Sequence, residues 1–356
     1  MKILAIDIGA GTEDVMLYDD SKKSVENCVK MVLPSASNIY AECVKEATRC
    51  SKEIFVKGDT IGGGAFSGAL KKHIEAGLGV YMTEKAAFTV RNCLDQVKAL
   101  GIKIVFDSGL ENFYGQTIIL EEVNINQLRN FIEPFGESFL DLDFVAIAVQ
   151  DHGVFPKGMT NRHFRINKIK ELLKNNPRPE AFAYQENEIP KFYPRMNSAV
   201  AAAKRQLPNT KVIVMDTSLD AIIGCLIDPA VEGIDPILAV NIGNGHTMAA
   251  IISGGEITAV LEHHTRLLDS VKMEKLLRDF ADGEISNEQV FEDNGHGMFY
   301  LKKPPGFSRI KKVVVTGPNR NILEKTGLMV HFATPGGDVM MSGTLGLVEA
   351  IKRRFF

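Results

Sequence analysis

Apolar runs of strand length alternate with stretches of helical period from one end of the chain to the other, the pattern of an α/β protein. KILAIDIGA, EDVMLYD and ENCVKMVLP, starting at residues 2, 13 and 26, read as three consecutive strands, and NIYAECVKEATRC (38–50) follows as a helix. EIFVKGD (53–59) reads as a strand leading into TIGGGAFSGALKKHIEAG (60–77), a glycine turn that opens a helix. AAFTVRNCLDQVKALG (86–101) predicts another helix, IKIVFDSG (102–109) a strand, and DFVAIAVQDHG (143–153) a buried strand ending in polar residues. The stretch from about 155 to 195 is rich in Pro, Asn and Arg and reads as a surface segment, and MNSAVAAAKRQLP (196–208) is a helix stopped by proline.

The pattern then begins again. PILAVNIGNG (236–245), TMAAIISGG (247–255) and EITAVLEHH (256–264) predict three strands with tight turns, with LLDSVKMEKLLRDFADG (267–283) as the helix behind them. IKKVVVTGPN (310–319) is a strand into a Gly-Pro turn, LMVHFA (328–333) a further strand, and GDVMMSGTLGLVEAIKRRFF (337–356) a closing helix. This repetition divides the chain into an N-terminal domain, 1–206, and a C-terminal domain, 236–356, with 207–235 between them. The 356 residues, 45% hydrophobic, are enough for two such domains.

The heads of the two halves share one design. AIDIGAGTEDVMLYD carries Asp7, Gly9, Gly11 and Thr12; AVNIGNGHTMAAII carries Asn241, Gly243, Gly245 and Thr247, with His246 as an apparent extra residue. In each, a strand ends in Asp or Asn, glycines carry the turn through φ values that side chains forbid, and a hydroxyl residue opens the return strand. Outward-pointing N–H groups in such a turn make an anion nest, and a carboxylate beside it can hold a cation. A purely structural turn is the competing reading of each hairpin taken alone.

Two such hairpins, each heading a three-strand unit, resemble the phosphate loops of the actin, Hsp70 and sugar-kinase (ASKHA) superfamily of ATPases. VVVTGPN (313–319), with Gly317, is similar to that superfamily's adenosine motif. The resemblance implies two tandem actin-like ATPase (ribonuclease H-like) α/β domains around a nucleotide cleft. It further implies ATP and Mg²⁺ as cofactors, Asp7 as the charged tether for the metal, and phosphoryl transfer to an unidentified small-molecule acceptor. Asn241 departs from the superfamily's usual Asp, and an amide attracts no cation, so a nucleotide- or phospho-ligand-sensing module with little turnover is the alternative.

Other residues offer chemistry around that core. Gly62, Gly63 and Gly64 precede a helix whose N-terminus could take a phosphate, or are merely a turn. Gln150, Asp151 and His152 lie beyond a buried strand, where ligands of open α/β sheets gather; a similar Gln-x-His-Gly lines the acceptor pocket of several sugar kinases. Arg162 and Arg165 could grip an anionic group. A base for the acceptor is to be sought among Asp151, His152, Asp107 and Asp216. Glu262 and His264 share one strand face, with His263 on the other, and His246 falls near them. That group could relay a proton or coordinate a metal, the basis of a second alternative, a His/Glu metal-dependent hydrolase; a polar rim is the plainer reading. NGHG (294–297) brings another histidine into a segment that periodicity does not place.

Composition narrows the classes. A net charge of −3, with 41 basic and 44 acidic residues spread along the chain, gives no footprint for nucleic acid or an anionic membrane; a protein partner stays open. The N-terminus shows neither a membrane span nor a signal-cleavage pattern, and five unpatterned cysteines suit reduced thiols, so a cytoplasmic location is expected. The chain is also similar to a prokaryotic family labelled as related to the activating enzyme of pyruvate formate-lyase, but it has no C-x-x-x-C-x-x-C, so radical chemistry is not expected. DIGAG leads into a strand and not a helix, which argues against a Rossmann dehydrogenase.

Overall fold

Fully buried residues on both faces of the first strand show that it lies inside a layered sheet. The computed structural model describes residues 1–107 and 113–356. The chain opens with β1 (Lys2–Ile8), β2 (Thr12–Asp19), β3 (Val29–Pro34) and α1 (Ala36–Arg49). An inserted unit follows: β4 (Ile54–Gly58), α2 (Gly64–Glu75), β5 (Val80–Met82), α3 (Glu84–Ala87), α4 (Leu94–Ala99), β6 (Lys103–Ile104), β7 (Gln116–Leu120) and α5 (Ile125–Ile132). The first sheet resumes through β8 (Phe144–Val149), α6 (Asn161–Asn175), β9 (Tyr184–Gln185), α7 (Pro194–Gln206), β10 (Lys211–Asp216) and α8 (Thr217–Leu226). The second half consists of β11 (Ile237–Ile242), β12 (His246–Ser253), β13 (Glu256–His264), α9 (Ser270–Asp282), α10 (Asn287–Glu292), β14 (Gly297–Tyr300), β15 (Lys312–Thr316), β16 (Val330–Phe332) and α11 (Ser342–Phe355).

The two large sheets have the order β3-β2-β1-β8-β10-β9 and β14-β13-β12-β11-β15-β16. In each, an antiparallel three-strand meander is extended from its first strand by parallel strands, β8 and β10 in one, β15 and β16 in the other. That is the ribonuclease H-like order, present twice. A third sheet, β6-β5-β4-β7, is all parallel and packs with α1 and α2 over its own core.

Strand alternation positions the site. Leu4, Ile6 and Ile8 face the outer core of the first sheet; Leu238, Val240 and Ile242 do the same in the second. The intervening residues, Ile3, Ala5, Ile237 and Ala239, face a shared inner core with α8 and α11 between the sheets. Asp7 and Asn241 fall on that inner face. The two helices themselves come close. A Cβ on Gly224 of α8 would strike the Ser342 backbone, and one on Gly346 of α11 would strike the Asp220 carbonyl.

Several elements depart from the sequence reading. The segment expected on the surface contains α6, fifteen residues long, with Phe164, Arg165, Ile166, Ile169 and Leu173 buried. A charged residue in the buried stripe disguises its periodicity. The helix expected over 86–101 is broken into α3 and α4, because Thr89 turns its hydroxyl to the Ile61 N–H and Asn92 reaches the Gly153 carbonyl. The strand expected over 102–109 reduces to β6; residues 108 and 109 lie outside the described residues. β10, expected between domains, is a member of the first sheet, and NGHG leads into β14 at the edge of the second. No helix among the described residues is long and apolar enough to cross a membrane.

Candidate functional site

The two hairpins are the same object. Gly9 N–H donates to the Thr12 carbonyl and Gly243 N–H to the His246 carbonyl, both at 2.9 Å, and the ladders close at Ile8 with Glu13 and at Ile242 with Thr247. The loops are therefore equal in length. His246 is no insertion: it stands where Thr12 stands, and Ala10 corresponds to Asn244. None of Gly9, Gly11, Gly243 or Gly245 has a positive φ, contrary to the sequence reading. Close approach explains two of them instead. A Cβ on Gly11 would collide with the Asn244 side-chain amide, and one on Gly243 would lie 2.9 Å from the His246 carbonyl.

The loops face each other and touch, with Gly245 against the methyl of Ala10 and Asn244 against Gly11. Their carbonyls are bound from behind. Ser35 N–H and the Asn38 amide donate to Gly11 O, and the Ser35 hydroxyl to Ala10 O. On the other side, Thr265 N–H donates to Gly245 O and the Asn319 amide to Gly243 O. Among the described residues, the N–H groups of Ala10, Gly11, Asn244 and Gly245 have no protein acceptor. Residues Gly9, Ala10, Asn241, Gly243 and Asn244 line two adjoining cavities of about 430 and 70 Å³. Thr247 lines neither. It is buried and shares a hydrogen bond with Thr265, because the equal loop lengths turn it into the sheet.

The smaller cavity is the acidic one. Asp7, Thr12 and Asp14 line it with Thr316 and Gly317. Gly317 has φ +97°, and a Cβ there would meet the Ile242 carbonyl, so this turn fits only glycine. Asp7 accepts a 2.5 Å hydrogen bond from Thr217, and burial, partly offset by that bond, pushes its carboxyl up to about 7. Asp14, opposite it on β2, is pushed up to about 8 by burial and then by the charge of Asp7. Asp220 on α8 is driven well above the carboxylate range by burial and Asp7. Among the described residues, one oxygen each of Asp14 and Asp220 is buried with no partner. A group of buried carboxylates with only the Arg195 charge to offset Asp7 is suited to a divalent cation.

The larger cavity is bounded by Gly62, Gly63 and Gly64 at the start of α2, by Gln150, Asp151 and His152 after β8, and by His246 and His264. Here the structure sorts the expected residues. Asp151 receives the backbone N–H groups of Gly153, Arg195 and Met196 on its two oxygens, so it anchors the start of α7 and does not stand free as a base. Asp216 caps α8 through Ser218 N–H and takes two hydrogen bonds from the Arg165 guanidinium, which leaves it equally committed. Arg165, whose Nε also binds Glu262 at 2.8 Å, is buried and cannot grip a ligand. Arg162 reaches the Gly295 carbonyl. Asp107 is removed altogether: it pairs with Lys57 in the inserted unit, 65% exposed, and lines neither cavity.

Four imidazoles gather at one wall. His246 lies directly across from His264 in the β12–β13 ladder, their rings 5.0 Å apart. His152 stands 5.6 Å from His246, and His296 is 4.5 to 5.1 Å from the other three. Glu262 sits behind them, held by Arg165 and by the Gln150 amide at 2.9 Å, so it supplies charge and not a free ligand atom. Burial first, then the Arg165 charge, holds His152 well below its ordinary value; burial brings His246 to about 4 and lowers His296 and His264. These rings are neutral near pH 7. His296, Thr217, Asn244 and Arg195 were not foreseen as site residues. Only the glycines around His296 and the DTS at the end of β10 hinted at two of them.

Two ribonuclease H-like sheets, each headed by a hairpin and meeting at those hairpins, make up the actin-like ATPase fold of this chain. The chain belongs to the family described as "Putative pyruvate format-lyase activating enzyme (DUF1786)", which it matches over residues 61–322. No curated protein matches it in sequence. Among solved structures it is similar to a ROK hexokinase from Thermus thermophilus, at 10% identity over 99% of this chain and 88% of that one, with a TM-score of 0.31. It is likewise similar to the ethanolamine utilization protein EutJ from Carboxydothermus hydrogenoformans, at 12% identity over 98% and 89%, TM-score 0.31. The PPX-GPPA enzyme of Aquifex aeolicus is similar at 10% over 89% and 68%, TM-score 0.29.

Proposed function

We propose that this chain binds the polyphosphate of a nucleotide, ATP being the fitting case, between its two hairpins and transfers or hydrolyses the terminal phosphoryl group. The observation that carries this is the disposition of the loops: four unpaired N–H groups from two equivalent turns, with their carbonyls tied back behind them. Such a clamp supplies the positioning on which phosphoryl transfer chiefly depends. Asp7, with Asp14 beside it, would hold Mg²⁺, which neutralises phosphate charge when bound. Gly317, which lines the smaller cavity, would lie on the nucleoside side. A small acceptor would occupy the larger cavity against Gln150 and His152, where the neutral His152 is the base left once Asp151 and Asp216 are committed to structure.

Asn244 lies against Gly11 where the hairpins meet, so binding a triphosphate there would require the hairpins to part. α8 and α11, the helices packed between the sheets, are the natural hinge. The family's label suggests radical activation, yet among the described residues no three cysteines converge, and that chemistry needs closely spaced thiolates. A sensing role keeps one supporting feature: Asn241 gives the second hairpin no carboxylate to match Asp7.

Steady-state ATP turnover with and without Mg²⁺ tests the reading. Saturable, Mg²⁺-dependent turnover lost in Asp7→Ala supports it; tight binding with no turnover favours the sensor, and no response to any nucleotide refutes both.

A further inference from the structure

The histidine wall of the larger cavity is more than a rim. His152, His246 and His296 each present a ring nitrogen, and these atoms all lie within 4.8 Å of one another. Their sources are separate: the loop after β8, the second hairpin and the turn into β14. Three elements from two domains converge on one point.

We propose that His152, His246 and His296 form a binding site for a divalent transition-metal ion of the Zn²⁺ type, distinct from the carboxylate site of Asp7, with the fourth coordination position open to the larger cavity. Three observations carry it. His152 Nε2 and His296 Nε2 stand 3.0 Å apart, close to the ~3.3 Å that two nitrogens span on a tetrahedral ion with ~2.0 Å bonds. His296 is 1% exposed, and with no partner for its Nδ1 among the described residues the ring's polar contact is the one its Nε2 makes with His152. Behind the rings, the Arg165 guanidinium is bracketed by two carboxylates, Asp216 and Glu262. That leaves a net negative charge, buried and adjacent, for a cation to balance.

The ligand chemistry fixes the class of ion. Imidazole suits zinc, copper, iron and nickel, whereas magnesium and calcium require oxygen. Three imidazoles and an open position is the arrangement of a catalytic zinc site and not of a closed structural one. His264, 4.5 Å from His296 in ring separation, lines the larger cavity beside the three ligands. The expected ligand set thus changes from His246, Glu262 and His264 to three histidines, with Glu262 acting through charge alone.

An ion here would occupy His152 and so exclude it as the acceptor's base, but the site leaves the hairpin clamp for the polyphosphate untouched, and the test keeps the two readings apart. The full-length chain is stripped with a chelator, equilibrated with Zn²⁺, and gel-filtered in excess Mg²⁺ without nucleotide; metal is then counted by mass spectrometry. A single Zn²⁺ per chain is expected, and Co²⁺ in its place should give the strong visible absorption of a four-coordinate nitrogen-ligated centre without a sulfur charge-transfer band. His296→Ala and His152→Ala should each weaken retention by more than about tenfold, while Asp7→Ala and His331→Ala, the latter on β16 beside Asp228 and outside the cavity, retain the ion. No Zn²⁺ retained by the wild type, or a six-coordinate cobalt spectrum, overturns the proposal. So does unchanged retention in both histidine variants. The wild-type spectrum decides the matter if a variant fails to fold.

Discussion

Asp14 and Asp7 face each other across the first hairpin with too little solvent and too few partners for two charges. An unfolded Asp titrates near 3.8, and these carboxyls are raised to about 8 and about 7 by burial. Between those limits the folded chain binds more protons than the unfolded one. Their contribution to stability is therefore complete below about pH 4 and is lost as the pH rises through 7 to 8. In thermal melts without divalent cation, Asp14→Asn should raise the Tm by about 2–4 °C at pH 8 and leave it unchanged at pH 4; an equal shift at both would refute the assignment. Asp7 stood out in the sequence because it stands at the end of the first strand, just before the paired glycines. His296 did not, since nothing local shows that the turn before β14 folds back over three other histidines.

α6 gives the clearest lesson at the level of the element. Its buried face carries Arg165, so a search for an apolar stripe passes over it, although the guanidinium is fully matched by Asp216 and Glu262. Arg165→Met should cost about 3–5 kcal/mol in chemical denaturation, since it strands two buried carboxylates. Arg165→Met combined with Glu262→Gln should recover part of that loss; no recovery would mean that packing, and not charge, sets the cost. The hairpins were legible as a pair from the repeated glycines, but their register was not. Thr247 matched Thr12 by residue type, whereas the ladder pairs decide that His246 matches it. Identity in a sequence cannot reveal which residue closes a turn.

The whole molecule depends on two sheets sharing one inner core through α8 and α11. The repeated strand order was readable because each half restarts the same three-strand pattern; the inserted parallel sheet was less so, its β6 being only two residues long. Where α8 and α11 cross, glycine is required by contact: Gly346→Ala places a methyl on the Asp220 carbonyl. A loss of about 1–3 kcal/mol is expected in equilibrium unfolding, and wild-type stability would show that the helices are not in backbone contact.

The equivalence of Ala10 and Asn244 allows both loops to be tested in one calorimetric titration with a non-hydrolysable Mg·ATP analogue. If the hairpins jointly hold a polyphosphate, the wild type binds at a single site, and Ala10→Asp and Asn244→Asp each weaken binding more than about tenfold, because a like charge enters the same crevice from either side. Absence of binding by the wild type, or tight binding that survives a carboxylate on either loop, would contradict the account.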